Sequence, residues 1–373
     1  MQLARRLLVA LHRGQQGQAV MWMIGLTVIA LMTGAIAVDL GVWLRDLRFA
    51  QNKADAVVLA AVLELPEPGE SSARQVAEAW FQQNIPADML DRATLDCCTF
   101  EDRDGDGRSD TVRARVSLRS HSLFARLLGF GDPTVSKPAG AMRVRARGAT
   151  VMPWAVFCQN PSSPTCGLDA DSFFPFHLGT TLTPGNFDAL AVDGGGASDY
   201  RNAITGAGGS SGVVFDGQNV ELMSKTGSMG QNTCDALYTR VTSPPYNERD
   251  VPRCGPSGNQ ATPFCDASSP DDARNKAQDS RCQGRVVVIP ITENFEGGGQ
   301  DKHVKVYMLG TFYIGGWARK NPWEVDRDGD GKTEMVWGYW LPDVAMQDPW
   351  KLVVEPDNPG SGDLAPLVAV LIE

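Results

Sequence analysis

The sequence predicts an α+β chain in three parts: a long N-terminal membrane-anchored helix, a small α/β module, and a β-rich domain containing disulfides. Three observations predict it. One uncharged block, Ala19 to Val38, stands in an otherwise polar chain of 373 residues. Apolar residues at a 3–4 period continue from Leu44 to Ala61, as in an amphipathic helix. After Pro66 the pattern turns to alternating apolar and polar residues between Gly- and Pro-rich stretches, which suits strands and loops.

Overall composition averages over these parts. The chain is 43% hydrophobic and 21% charged, with a formal net charge of −10. That supports ordinary buried cores and excludes a wholly disordered chain. The acidic balance argues against a nucleic-acid partner, because phosphate contacts need clustered Lys and Arg.

No charge lies between Arg13 and Asp39. At about 1.5 Å per residue, the block Ala19–Val38 matches the ~30 Å hydrocarbon core of a bilayer. Arg5, Arg6 and Arg13 precede it, without an acidic residue. The positive-inside rule then places residues 1–17 in the cytoplasm, the span at 18–38, and the body outside. A cleaved signal peptide competes with this reading, since Ala35-Ile36-Ala37 fits the small-x-small cleavage pattern. The run exceeds the usual signal core, and the helical pattern continues without Pro to Leu65, which favours a retained anchor. Either way the body is exported.

Ala30, Gly34, Ala37 and Gly41 follow 4-3-4 spacing and line one side of this helix. Small residues so placed let two membrane helices approach closely, although Ala and Gly are also common in such helices without that role. Beyond the span, residues 39–65 continue the helix. Leu44, Leu47, Ala50, Ala54, Val57, Val58 and Ala61 make its apolar face; Arg45, Asp46, Arg48, Gln51, Asn52, Lys53 and Asp55 fill the other positions. Span and continuation together form a rod of about 65–70 Å.

This N-terminal stretch resembles the module of the TadE/TadG-like proteins of Flp (Tad) pilus systems. The matching features are the basic start, Arg13 with Gly17-Gln18-Ala19, the span ending in Val38-Asp39, Arg45, Arg48, Gln51-Asn52 and Ala54-Asp55-Ala56. Later pieces agree, among them Leu123-Phe124-Ala125-Arg126 and Val286-Val287-Val288-Ile289-Pro290. The resemblance implies a pilin-like rod and an envelope-anchored minor pilin or pilus-assembly protein, not an enzyme. Its partners would be other pilus or secretion-system subunits. Processed members of the family are cut after a Gly, with a Glu five residues on. Here the fifth residue after Gly17 is Trp22, so the chain resembles the larger, unprocessed TadG-type members. Starts at Met1, Gln18 and Val38 remain alternatives.

Residues 66–151 read as helix, strand, strand, short helix, strand. Glu70–Asn84 has helical apolar spacing and Ser residues placed as caps. Thr94–Phe100, Thr111–Leu118 and Ala141–Val151 are strand-like, and His121–Leu128 is a short apolar helix. The expected arrangement lays that short helix across a three-stranded sheet.

The loop between the first two strands reads Asp102, Asp104, Asp106, Gly107, Arg108, Asp110. A second copy carries Asp326, Asp328, Asp330, Gly331, Lys332 and Glu334. Carboxylates at positions 1, 3, 5 and 9 with Gly at 6 fit a calcium loop, Arg108 and Lys332 offering backbone carbonyls. Position 12 is Arg113 or Trp337 rather than Glu, so these are not EF-hands but loops joining strands, with calcium as a structural clip. Asp-Gly runs also make metal-free turns.

All eight cysteines follow the span, which suits an oxidising space. Without a CxxC pair and with scattered His, a structural zinc site is not expected. Spacing favours Cys158–Cys166, Cys234–Cys254 and Cys265–Cys282. Cys97 and Cys98 are either a vicinal pair or partners of distant thiols; strand alternation opposes the former.

Residues 152–373 form the β-rich exported domain. Expected strands are Val213–Phe215, Val220–Met223, Arg285–Ile291, Val304–Tyr313, Met335–Trp340 and Leu364–Leu371, with a short helix at Asp199–Thr205 and a surface excursion at Ser243–Gln283. Gly208-Gly209-Ser210-Ser211-Gly212 fits G-x-S-x-G, but a strand-like run follows where a nucleophile elbow needs a helix. His303 is read as an exposed residue at a strand start, and the C-terminal Trp residues as core. The expected function is therefore non-enzymatic. A surface adhesin or ligand-binding module sharing the anchor type is the alternative.

Overall fold

The computed structural model describes residues 2–65, 69–103, 107–170, 172–178, 186–192, 194–206, 213–221, 230–254, 263–293, 303–318, 335–342, 344, 352–355 and 363–372. The chain divides into two compact units, residues 1–143 with 370–373, and residues 144–369. The sequence reading placed this division at 151/152.

The first elements are helices α1 (Gln2–Val62) and α2 (Glu70–Asn84), then strands β1 (Ala93–Glu101) and β2 (Thr111–Arg119). A 3-10 turn at Ala125–Leu128 precedes β3 (Thr134–Arg145). Then come β4 (Gly148–Thr150), β5 (Trp154–Phe157), β6 (Phe173–Leu178), β7 (Asn186–Ala189), α3 (Ala197–Thr205), β8 (Val213–Phe215) and β9 (Asn219–Glu221). The remaining elements are α4 (Gly230–Thr242), α5 (Pro270–Gln278), β10 (Val286–Thr292), β11 (His303–Trp317), β12 (Val336–Trp340), β13 (Leu352–Val353) and β14 (Leu367–Ile372).

In the first unit, β1 and β2 form an antiparallel hairpin from Ala93↔Leu118 to Glu101↔Thr111, with the Asp-rich loop at its tip. The sheet order is β1-β2-β3-β14, so the expected three strands gain a fourth from the C-terminus. The helices covering the sheet are α1, on β2, and α2, on β1, rather than the short segment at 121–128. Ala50, Ala54, Val57, Val58, Ala61 and Val62 of α1 are buried, as are Ala73, Ala77 and Phe81 of α2. The α2 N-cap is Gly69, without a side-chain cap. Ser72 instead donates its hydroxyl to Glu64 at 2.7 Å, so the expected Ser caps are corrected.

In the second unit, strands pair in the order β10-β5-β7-β6-β12-β11-β9. An additional antiparallel pairing of β10 with β11 closes the first six into a ring, which leaves no open edge between them. Every residue of β10 is buried, as its unbroken apolar run requires for a strand paired on both sides. Trp154, Phe176, Phe312 and Trp340 pack together in the core, with ring centroids 5.0–5.5 Å apart. Trp317 and Trp337 are also buried; Trp323 and Trp350 lie outside the described residues. Tyr200 of α3 is buried against them. It accepts from Trp154 Nε1 at 2.9 Å and shares a 2.7 Å hydrogen bond with Thr233 of α4. Burial pushes its phenol up to about 12.

Helix α5 falls inside the segment read as a surface excursion. Its signals are in the sequence: Ser269 accepts the Asp272 N–H as N-cap, and Pro270 opens the helix. Strands β5 to β7, of four to six residues, also go beyond the sequence reading, because each is too short for periodicity to stand out; helix α4, of 13 residues, goes beyond it as well.

Candidate functional site

Among the described residues, one helix is long and apolar enough to cross a membrane, Met21–Val62. From Met21 to Val38 almost every side chain is exposed. Ala30, Gly34 and Ala37 lie on this exposed length and Gly41, also exposed, just beyond it; a Cβ at Gly34 or Gly41 would meet nothing within 4 Å.

Burial begins at Asp39, on an unexpected face. Asp39 and Asp46 are buried, whereas Leu44 is 51% exposed. The two carboxylates lie seven residues apart, on the same side of the helix. Each reaches the segment after β2. Asp39 Oδ1 accepts the backbone N–H of Leu123 at 2.7 Å, and Oδ2 that of Ala125 at 2.6 Å. The Phe124 N–H lies 3.1 Å from both oxygens. Three consecutive N–H groups at the start of the 3-10 turn thus surround one carboxylate, where a negative charge satisfies otherwise unpaired donors. About two turns further along the helix, Asp46 Oδ2 accepts the Ser120 hydroxyl at 2.7 Å, and its other oxygen accepts from Arg45. The expected assignment of Asp46 to the polar face is therefore corrected.

Asp132 closes the far end of the same segment. Its side chain accepts the Ser122 N–H at 3.1 Å and meets Arg126 at 2.6 Å and His121 at 3.2 Å. The Ser122 N–H, with His121 and Arg126, outweighs burial and holds the carboxyl down at about 2.

In the first Asp-rich loop, Asp102 Oδ2 accepts the Gly107 N–H at 2.8 Å, and Asp110 Oδ2 accepts the Arg103 N–H at 3.2 Å. Gly107 has φ +88°, a conformation that favours glycine and fits its place at position 6. Asp104, Asp106 and the whole second loop, Asp326 to Glu334, lie outside the described residues. Among the described residues, no group of three or more His, Cys, Asp or Glu side chains is placed to hold a metal ion.

The cysteines pair as Cys158–Cys166, Cys234–Cys254 and Cys265–Cys282, with Cα separations of 4.9, 5.9 and 5.5 Å, and as Cys97–Cys98. Strand alternation does not keep Cys97 and Cys98 apart, because the ladder shifts register between Cys97 and Thr99. His303 begins β11 and is exposed. The Gly208–Gly212 run, with Ser210, lies outside the described residues; a strand, β8, follows it.

The largest buried charge in the second unit is Arg285. It is fully buried and donates to Glu248 at 3.0 and 2.7 Å and to Asp266 at 2.7 Å. This cluster is internal and ties the segments around α5 to the sheet.

No curated protein and no solved structure matches the chain. The family match falls on α1, through its exposed length and both buried carboxylates: residues 17–64 match the family described as Tad, putative Flp pilus-assembly TadE/G-like.

Proposed function

We propose that the chain is a non-enzymatic, membrane-anchored minor pilin or assembly protein of an Flp/Tad pilus. The observation that carries this reading is the family match over residues 17–64, which coincides with a helix apolar enough to span a bilayer and then packed on a sheet. Arg5, Arg6 and Arg13 favour a cytoplasmic N-terminus, and four cysteine pairs favour an oxidising, extracytoplasmic space for the body. The stripe Ala30, Gly34, Ala37 and Gly41 is the proposed face for a neighbouring membrane helix, and other pilus or secretion-system subunits are the proposed partners. The two Asp-rich loops are proposed as weak structural calcium sites.

Deletion of the gene in a piliated strain tests the function. Loss of filaments, restored by the full chain, supports the proposal; normal filaments after deletion overturn it.

A further inference from the structure

The segment clasped by Asp39 carries an apolar surface of its own. Leu123, Phe124, Leu127 and Phe130 are 58%, 40%, 80% and 66% exposed. Four large apolar side chains within eight residues form a patch, not the scattered exposure usual on a soluble surface. The only carboxylate between His121 and Pro133 is Asp132, whose side chain is 2% exposed and tied to Arg126 and His121. What the segment offers to its surroundings is therefore apolar, with its flanking Arg126 and His121 paired to Asp132.

Its position along the helix identifies what covers it. Asp39 is the first charge after the uncharged block, and its carboxylate holds the backbone of residues 123–125. The patch is thus fixed where the exposed apolar length of α1 ends. Leu40 and Leu44 of α1, 48% and 51% exposed, lie on the helix at that same level. Two apolar surfaces that adjoin at one level are covered by the same medium. For the helix that medium is lipid.

We propose that the segment Leu123–Phe130 is a second membrane contact, docking in the headgroup region beside the anchor, with Leu123, Phe124, Leu127 and Phe130 entering the bilayer surface. Exposed Phe and Leu beside polar groups that are already paired suit an interfacial segment, which buries its apolar side chains about 5–10 Å deep. Asp39 then has a positional role. It ends the span and sets the docking segment at the height of the lipid surface. This inference rests on the reading of α1 as a membrane anchor.

The test uses the full chain in vesicles of phosphatidylethanolamine and phosphatidylglycerol containing a lipid with a doxyl quencher high on its acyl chain. Leu127→Cys, Phe130→Cys, Ile29→Cys and Ser71→Cys variants each carry one environment-sensitive fluorophore. Ser71 is exposed in the first turn of α2, about 35 Å along the helical hairpin from Asp39. Labels at Leu127 and Phe130 should lose roughly half their emission on quencher addition, the Ser71 label almost none. If the Ile29 label is quenched while both loop labels stay bright, the docking is wrong and the anchor stands. If the Ile29 label also stays bright, the anchor itself is wrong. Loop labels that stay bright but shift to the blue only at high protein-to-lipid ratio assign the patch to a second copy and overturn lipid docking.

Discussion

The Asp39 carboxylate accepts the Ala125 backbone N–H at 2.6 Å, across 86 positions of sequence. Together with the Leu123 and Phe124 contacts, this joins the end of the apolar helix length to the segment leaving β2. Removing the acid leaves three backbone donors without their acceptor. Asp39→Ala should destabilise the first unit, since hydrogen bonds to a charged group are stronger than neutral ones and unmet donors add a cost. The readout is tryptic cleavage after Arg126 in the folded chain. It should become much faster in Asp39→Ala than in wild type; equal rates would show that the clasp does not hold the segment.

Asp132 makes the same segment acid-sensitive. Its carboxyl titrates at about 2, below the ordinary value of about 3.9. A lowered carboxylate stabilises the fold fully above the unfolded value, and that contribution is lost as pH falls toward 2. The melting temperature of wild type should exceed that of Asp132→Asn at pH 6. The gap should close between about pH 4 and 2. A gap independent of pH would assign the effect to packing instead of charge.

Arg285 is buried between Glu248 and Asp266, so cutting the side chain removes the guanidinium that both carboxylates meet in the core. Arg285→Ala should cost about 3–5 kcal/mol. Trp317, whose ring lies 4.9 Å from the guanidinium, offers a fluorescent probe for urea unfolding. Combining Arg285→Met with Glu248→Leu and Asp266→Asn should recover most of the loss, because the whole buried charge cluster is then removed together.

The proposed calcium loops predict a cation-dependent melting temperature. Millimolar Ca²⁺ should raise it relative to EDTA, as expected for sites of about 10⁻⁴–10⁻³ M affinity without a bidentate Glu. Asp102→Asn combined with Asp326→Asn should abolish the difference. Superimposable calorimetric traces of the wild-type chain in Ca²⁺ and EDTA would remove calcium from the account.

Much of the fold is legible locally. Helix α2 and strands β1, β2 and β10 lie where 3.6- and 2-residue periods or an unbroken apolar run put them, since such patterns record which face of an element is buried. Helix α5 was legible too, through its Ser269-Pro270 start, but two buried Ala residues made its periodicity faint.

By itself the sequence determined one uncharged block of bilayer length, an amphipathic continuation, and a strand-rich body that carries all eight cysteines. Those follow from composition and period alone. Only the tertiary structure decided that β10 meets β11 to close the ring, that the C-terminal strand returns to the first sheet, and that Asp39 and Asp46 face inward. A period counts an Asp as polar and turns it outward. Here the N–H groups and hydroxyl that satisfy these two acids come from residues 74 to 86 positions away, and only folding brings such donors to the helix.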